Sequence, residues 1–367
     1  MSFITAIGTA TPSNRFRQST IADFMLRSMK LTNGESRKLK TIFKASGIEY
    51  RHSVLEDYGK VSDFTFYSPA ENFEPVPSTE SRLRVFREQA VGLSVSAVND
   101  LLASRPEFKL NSITHLVVVC CTGMYAPGLD IDLVRCLGLS STIQRTAINF
   151  MGCYAAFNAL KLADSFCKND KEAKVLIVCT ELCSLHFQRE ATDDNLLANA
   201  LFADGSAAVL VEHNSSSNLK LSLESFHSDL SKDGEQDMAW TVGDLGFEMK
   251  LSAYVPDIIK RGIASLTNSL LKKISKKFSD IKHFAIHPGG VKILQAIEQE
   301  LGISKDKNQS AYKVLGQYGN MSSPTVLFVL KDLVQQLNAE NIGEHVLSFA
   351  FGPGLTLESM ILKIEKI

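Results

Sequence analysis

An α/β fold is what this sequence predicts, and three observations predict it. Short apolar runs, Leu116-Val117-Val118-Val119, Val175-Leu176-Ile177-Val178 and Phe284-Ala285-Ile286, alternate with amphipathic stretches of helix length. The rhythm occurs twice, and the polar stretch Glu212-His213-Asn214-Ser215-Ser216-Ser217-Asn218 separates the two occurrences. The 367 residues, 45% of them hydrophobic, suffice for a large core and by length suggest about two domains.

Up to about residue 110, helices mix with a loop running from Ser68-Pro69-Ala70 through Pro75-Val76-Pro77-Ser78. A compact unit follows: strand 114–120, a turn at Tyr125-Ala126-Pro127-Gly128, helix 129–137, strand 145–150, helix 153–167 and strand 174–179. The second half is looser, with helix 251–278, strand 282–286, a Pro-Gly-Gly turn, helix 291–301, helix 321–337 and strand 345–351. Residues 1–214 and 215–367 thus read as two halves of similar rhythm, a duplication without a residue-level repeat.

The 39 basic and 40 acidic side chains leave a net charge of −1, which gives no reason to expect nucleic acid or an anionic membrane as partner. Met1-Ser2-Phe3-Ile4-Thr5-Ala6 lacks a basic region followed by an apolar core, and no apolar run is long enough for membrane insertion, so the expectation is a cytoplasmic protein. Cysteines stand at 120, 121, 136, 153, 167, 179 and 183 with no Cys-x-x-Cys pair and no His-x-x-x-His companion. That spacing favours reduced thiols and gives no metal site.

One of these cysteines stands apart. Met151-Gly152-Cys153-Tyr154 falls where the strand Arg145–Phe150 gives way to a helix whose packed face is Ala155, Ala156, Ala159, Leu160 and Leu162. A thiol in a first helical turn meets unpaired N–H groups and the positive end of the dipole, which favour the nucleophilic thiolate; a buried core cysteine is the plain alternative. His287 opens His287-Pro288-Gly289-Gly290 at the end of an apolar strand, where α/β enzymes collect functional groups, or where a turn histidine makes a local hydrogen bond. Asn320, in Tyr318-Gly319-Asn320-Met321-Ser322-Ser323-Pro324, suits a helix cap as readily as a catalytic amide. Phe351-Gly352-Pro353-Gly354-Leu355-Thr356 is a rigid turn whose N–H groups could face an oxyanion.

Taken together, Cys153, His287, Asn320 and this glycine turn resemble the chalcone and stilbene synthase family, the type III polyketide synthases. The similarity extends over about 350 residues. It runs through Ala6-Ile7-Gly8-Thr9-Ala10-Thr11-Pro12, Thr114-His115-Leu116, Pro127-Gly128, Leu201-Phe202-Ala203-Asp204-Gly205 and Gly319-Asn320-Met321-Ser322-Ser323. The first glycine of the family's Gly-Phe-Gly-Pro-Gly is Ala350 here.

The resemblance implies the thiolase fold, two similar βαβαβ-type halves in a five-layered αβαβα core, normally a homodimer. It implies an acyl-CoA starter bound as a thioester on Cys153, and malonyl-CoA held by His287 and Asn320 for decarboxylation. Backbone N–H at Cys153 and at the Gly352-Pro353-Gly354 turn would take the second oxyanion. Phe202 matches one gating phenylalanine of the family, and Met249 stands at the other. Trp240, Cys121, Cys183 and His186 fall at cavity positions where plant members carry smaller or different residues, which implies a pyrone, resorcinol or phloroglucinol-type product rather than a chalcone. Arg37, Lys40 and Lys44, at i, i+3 and i+7, are expected to hold the CoA phosphates from one helix face. No metal or prosthetic group is called for; coenzyme A thioesters are substrates. Two other readings stay open: a fatty-acid initiation ketoacyl synthase that condenses once, though its His-Gln-Ala-Asn context is absent, and a non-catalytic homologue.

Overall fold

The computed structural model describes residues 1–70, 73–232, 234–235 and 237–367. Its first half comprises β1 Phe3–Ala10, β2 Asn14–Arg17, α1 Gln18–Ser28, α2 Asn33–Ala45, β3 Tyr50–Ser53, α3 Thr79–Ala103, β4 His115–Cys120, α4 Leu129–Cys136, β5 Gln144–Asn149, α5 Ala155–Asn169, β6 Lys174–Leu182, α6 Asp193–Leu201 and β7 Asp204–Glu212. The second comprises β8 Lys220–Leu230, β9 Met238–Gly243, β10 Gly246–Leu251, α7 Val255–Lys273, β11 Ile281–Ile286, α8 Val291–Leu301, α9 Gln309–Tyr318, α10 Thr325–Val334, β12 His345–Gly352 and β13 Thr356–Lys366.

Among the described residues nine strands join in the order β11-β12-β13-β8-β1-β7-β6-β4-β5. β1 and β8 meet at only two residue pairs, Phe3 with Ser222 and Ile4 with Leu221, so two sub-sheets share a narrow seam. In the first, β4 runs parallel to β5 and β6, with β7 and β1 antiparallel beyond. In the second, β11 runs parallel to β12, with β13 and β8 antiparallel beyond. The chain order β4-α4-β5-α5-β6-α6-β7 is echoed as β11-α8-α9-α10-β12-β13, without a counterpart of α6. Where the first half has β5, the second has α9 and an isolated parallel bridge between Phe202 and Asn320.

Packing on both faces explains why the strands read as unbroken apolar runs. Every residue of β4, β7 and β12 is buried. Along β4 and β6, Val117, Val119 and Ile177 join the core built on α5, while Leu116, Val118 and Leu176 join the core that includes Phe86, Ala90 and Val98 of α3. α5 packs on β4 to β7 and reaches β13; α10 packs on β11 and also on β1 and β7. α3 covers β1, β6 and β7 on one outside, and α7 covers β8 and β13 on the other. The result is αβαβα, the five layers of the thiolase fold. α3 crosses β1 so closely that a Cβ on Gly8 would lie 2.1 Å from the Ala97 carbonyl oxygen.

Several boundaries differ from the sequence reading, for local reasons. The expected helix 251–278 starts at Val255, with Pro256 in its first turn, and ends at Lys273. Ahead of it lies an unanticipated two-stranded ribbon, β9 with β10, whose register pairs Met249 with Trp240. The expected helix 321–337 is shorter, Thr325–Val334, because Ser322 turns the chain with a φ of +59° and Pro324 caps the start. Among the described residues no helix is long and apolar enough to cross a membrane.

Candidate active site

The connection from β5 to α5 is built to present one side chain. Phe150 and Gly152 take φ values of +60° and +77°, and a short turn, Gly152–Tyr154, leads into α5. Only glycine adopts such a φ without strain, and here it also permits contact: a Cβ on Gly152 would lie 2.5 Å from Cδ of Pro353. Cys153 therefore stands at the mouth of α5, 7% exposed, where the sequence placed it.

His287 follows β11 directly, and its backbone N–H donates to the Phe349 carbonyl at 2.8 Å, which ties it to β12. The ring is buried, and neither Nδ1 nor Nε2 has a partner among the described residues. Each unmatched buried group costs about 1–3 kcal/mol, a penalty that a hydrogen-bonding ligand would relieve. Asn320 is held from both sides of its backbone: its N–H donates to Leu201 O at 2.9 Å and its carbonyl accepts from Ala203 N–H at 2.8 Å. The side chain is oriented by Ser322, whose backbone N–H donates to Oδ1 at 2.9 Å. That bond fixes which end of the amide faces where. Oδ1 lies 4.0 Å from Cys153 Sγ, and the amide nitrogen, with a 3.4 Å contact to Gly289 O, keeps donor capacity to spare. The helix-cap alternative is not realised, since Pro324 is the N-cap of α10 and no side chain caps it.

Cys153, His287 and Asn320 line one chamber with Phe202, Met249, Trp240, Cys121, Cys183 and Pro353. Burial pushes the Cys153 thiol up to about 11, against donation from Ser322, and burial pushes His287 down to about 3. Neither group ionises by itself in so dry a site, whatever the helix start contributes. Transfer of the thiol proton to the imidazole ionises both without changing net charge.

His186 is not on the chamber wall but behind it. Its ring stacks on Phe247 at 4.2 Å, 6° from parallel, and meets Trp240 edge-on at 5.9 Å. Nε2–H donates to the Thr122 carbonyl at 2.7 Å and Nδ1 accepts the Phe247 N–H at 3.0 Å, while burial pushes the pKa down to about 3. His186 is thus a neutral brace with one tautomer. Trp240 is held as firmly, its Nε1–H donating to Cys121 O at 2.9 Å. Cys121 in turn takes the Gly152 N–H on its sulfur at 3.1 Å, which links the tryptophan to the cysteine loop.

Two further groups named from the sequence are placed as follows. In the Gly352-Pro353-Gly354 turn, Pro353 has no N–H and the Gly354 N–H donates to Met238 O at 3.3 Å. Its task is close packing: a Cβ on Gly352 would lie 2.5 Å from Tyr154 Cδ1. Arg37, Lys40 and Lys44 are exposed on α2, the helix that borders a surface groove. The surface groove beside α2 is lined by Lys38, Ile42 and Ala45, at i, i+4 and i+7, with Lys292 opposite. Leu251, Gly289 and Ile293 line both this groove and the chamber. Lys38 also pairs with Asp193.

Sequence reasoning passed over Glu181 entirely. It accepts hydrogen bonds from Cys121 N–H at 2.9 Å, Thr122 Oγ1 at 2.7 Å and Ser323 Oγ at 2.8 Å, and burial pushes its pKa up to about 7. The available signal was an acid ending the apolar run Val175–Thr180.

Comparison with known proteins agrees with this architecture. Residues 1–215 match the chalcone and stilbene synthase N-terminal domain model and residues 223–365 the C-terminal domain model. The alpha-pyrone synthesis polyketide synthase-like Pks18 of Mycobacterium tuberculosis is 32% identical over 365 residues, covering 98% of this chain and 91% of that protein. The crystal structure of PKS-I from the brown alga Ectocarpus siliculosus superposes with a TM-score of 0.92 at 28% identity, covering 99% of this chain and 98% of that one. The C-terminal type III polyketide synthase domain of Steely1, a type I/III hybrid from Dictyostelium, does so with 0.90 at 30% identity, covering 99% of both. This chain belongs to the chalcone and stilbene synthase family, the acyltransferase-type enzymes known as type III polyketide synthases.

Proposed function

We propose that the protein condenses malonyl-CoA units iteratively onto an acyl-CoA starter held as a thioester on Cys153, and then cyclises the chain. The observation that carries this reading is a single chamber holding a helix-start thiol, an imidazole with both nitrogens open and an amide of fixed orientation. Residues 1–214 contribute the nucleophile and 215–367 the other two.

His287 takes the thiol proton as Cys153 attacks the starter thioester, and CoA leaves as its thiol. Malonyl-CoA then enters by the groove, its phosphates near Lys38 and Lys292. The thioester oxygen accepts from Asn320 Nδ2 and from the remaining ring N–H of His287, neutral again once its proton has left with the CoA thiol, and loss of carbon dioxide leaves an enolate on that oxygen. An amide donates without delivering a proton to the carbanion, which attacks the Cys153 thioester instead. The apolar faces of Phe202 and Met249 favour neutral carbon dioxide over carboxylate. Labelled malonyl-CoA with a panel of aromatic and fatty acyl-CoAs tests the reading: polyketides longer than one condensation are expected, and a single condensation product would favour the ketoacyl synthase alternative.

The paired ionisation predicts a pH effect. With His287 present, iodoacetamide labels Cys153 at neutral pH. In His287→Gln the thiol has no internal acceptor, and labelling rises only as pH climbs toward about 11. Overlapping profiles would remove His287 from thiol activation.

Trp240 and its brace of His186 and Phe247 shorten the chamber, which suits a compact product of the pyrone, resorcinol or phloroglucinol type, and the related Pks18 is named for alpha-pyrone synthesis. Trp240→Gly is expected to lengthen or alter the product set; an unchanged mass-spectrometric profile overturns that assignment. We also propose a homodimer. β5 ends the nine-stranded sheet and leaves one edge of its backbone without a strand, an arrangement that invites pairing with a second copy. Light scattering is expected to return twice the chain mass, and a monomer would contradict the proposal.

A further inference from the structure

Phe202, Cys183, Trp240 and Met249 line not one cavity but two, so they form a partition one side chain thick. On one side is the reaction chamber. The far side differs in chemistry, being lined by Arg51, His52, Ser53, Ser184 and Asn199.

Among the described residues, Arg51 is the one arginine on the wall of that second chamber. It is 4% exposed. Nε donates to Gln18 Oε1 at 2.8 Å, and Nη1 donates to the carbonyls of Asn199 at 2.8 Å and Phe202 at 2.7 Å. Nη2 has no acceptor among the described residues. The carboxylate nearest in character, Asp204, is already engaged by the backbone N–H groups of Val54 and Ser184 and by the Ser184 hydroxyl. Beside it, His52 donates Nδ1–H to the Pro12 carbonyl at 2.8 Å. A buried guanidinium with one arm open bears a desolvation cost that an oxygen anion placed there would offset.

We infer that this second chamber binds an oxyanion at the end of a small acyl or polyketide molecule, held by Arg51 on the far side of the Phe202–Met249–Trp240 partition. The inference rests on the proposed function, because the molecule is one the reaction chamber uses or makes. Two sources share the chemistry: a starter that ends in a carboxylate, and a 4-hydroxy-2-pyrone product, whose enol is a vinylogous acid. The partition then acts as a sorting wall. Apolar atoms rest against the far faces of Phe202 and Met249, and the charged end meets the cation beneath Phe202.

The chain carries its own reporter, since Trp240 is its one tryptophan and lies in the partition. In Cys153→Ala protein, which cannot turn over, Trp240 fluorescence is followed while glutarate, 4-hydroxy-6-methyl-2-pyrone or the uncharged 4-methoxy-6-methyl-2-pyrone is titrated. Saturable binding of an anionic probe, weakened about tenfold or more by Arg51→Lys as expected on losing a forked contact, supports the site. Glutarate alone points to the starter, and the hydroxypyrone alone points to the product. Arg51 also holds two backbone carbonyls, so its variant can fail to fold. Ala198→Leu loses no hydrogen bond and fills the same chamber, and it should abolish binding. No saturable signal from either anion, equal binding of the methoxypyrone, or binding that survives Ala198→Leu overturns the inference. Carbon dioxide release from malonyl-CoA by the wild-type enzyme is measured separately, so failure of the proposed function is told apart from failure of this site.

Discussion

Cys153→Ala is expected to abolish polyketide formation, by a factor on the order of 10⁶, the scale on which a catalytic set loses rate with its nucleophile. The loss should be selective. His287 and Asn320 are positioned by β11, β12 and the Leu201–Ala203 segment, and none of those contacts involves the thiol. Carbon dioxide release from malonyl-CoA should therefore persist in the variant while starter loading, read as an acyl adduct by intact-protein mass, disappears. An adduct on the variant would move the nucleophile to another of the thiols in the chamber, Cys121 or Cys183. Burial pushes both well above the usual cysteine range, which argues against them.

The second large effect concerns Asn320. Removing one preorganised donor from a developing oxyanion typically slows the step by about 10² to 10³. Asn320→Ala should slow malonyl-CoA decarboxylation and condensation together by about that much. The variant also strips the Ser322 N–H of its acceptor, so a purely structural role would give a similar loss. Asn320→Asp separates the two. Its carboxylate still accepts from Ser322 but cannot donate to an enolate oxygen. If Asn320→Asp decarboxylates at the wild-type rate, the amide is a structural pin and not a catalytic donor.

What the sequence made legible divides along physical lines. The repeated strand–helix rhythm, Cys153 at a helix start and His287 at a strand end are local features, set by side-chain period and by glycine and proline, and they were readable. The chamber was not. His186 lies two turns of chain from nothing that signals it is a brace; its partners Thr122 and Phe247 are distant in sequence and neutral in character. The helix face of Arg37, Lys40 and Lys44 was readable from spacing, whereas Lys38 beside the groove was not, because the core fixes α2 through Leu39 and Phe43 and only the fold shows where Lys38 then falls. The β9–β10 ribbon escaped because it is short, paired only with itself and adjoins a genuine helix. Arg51 and Glu181 looked like ordinary charges, and only their burial sets them apart.

That ribbon has a consequence for how such an enzyme diversifies. Met238, Trp240, Met249 and Leu251 all come from it and all touch the reaction chamber, yet β9 and β10 contribute no rung to the nine-stranded sheet. A substitution at Trp240 or Met249 reshapes the mould in which the chain cyclises while the five layers keep their own packing. Mutations in most chambers must avoid falling below the stability threshold before they can be judged on product. Here the two trials are largely separate, and a lineage can explore new ring systems at little risk to folding.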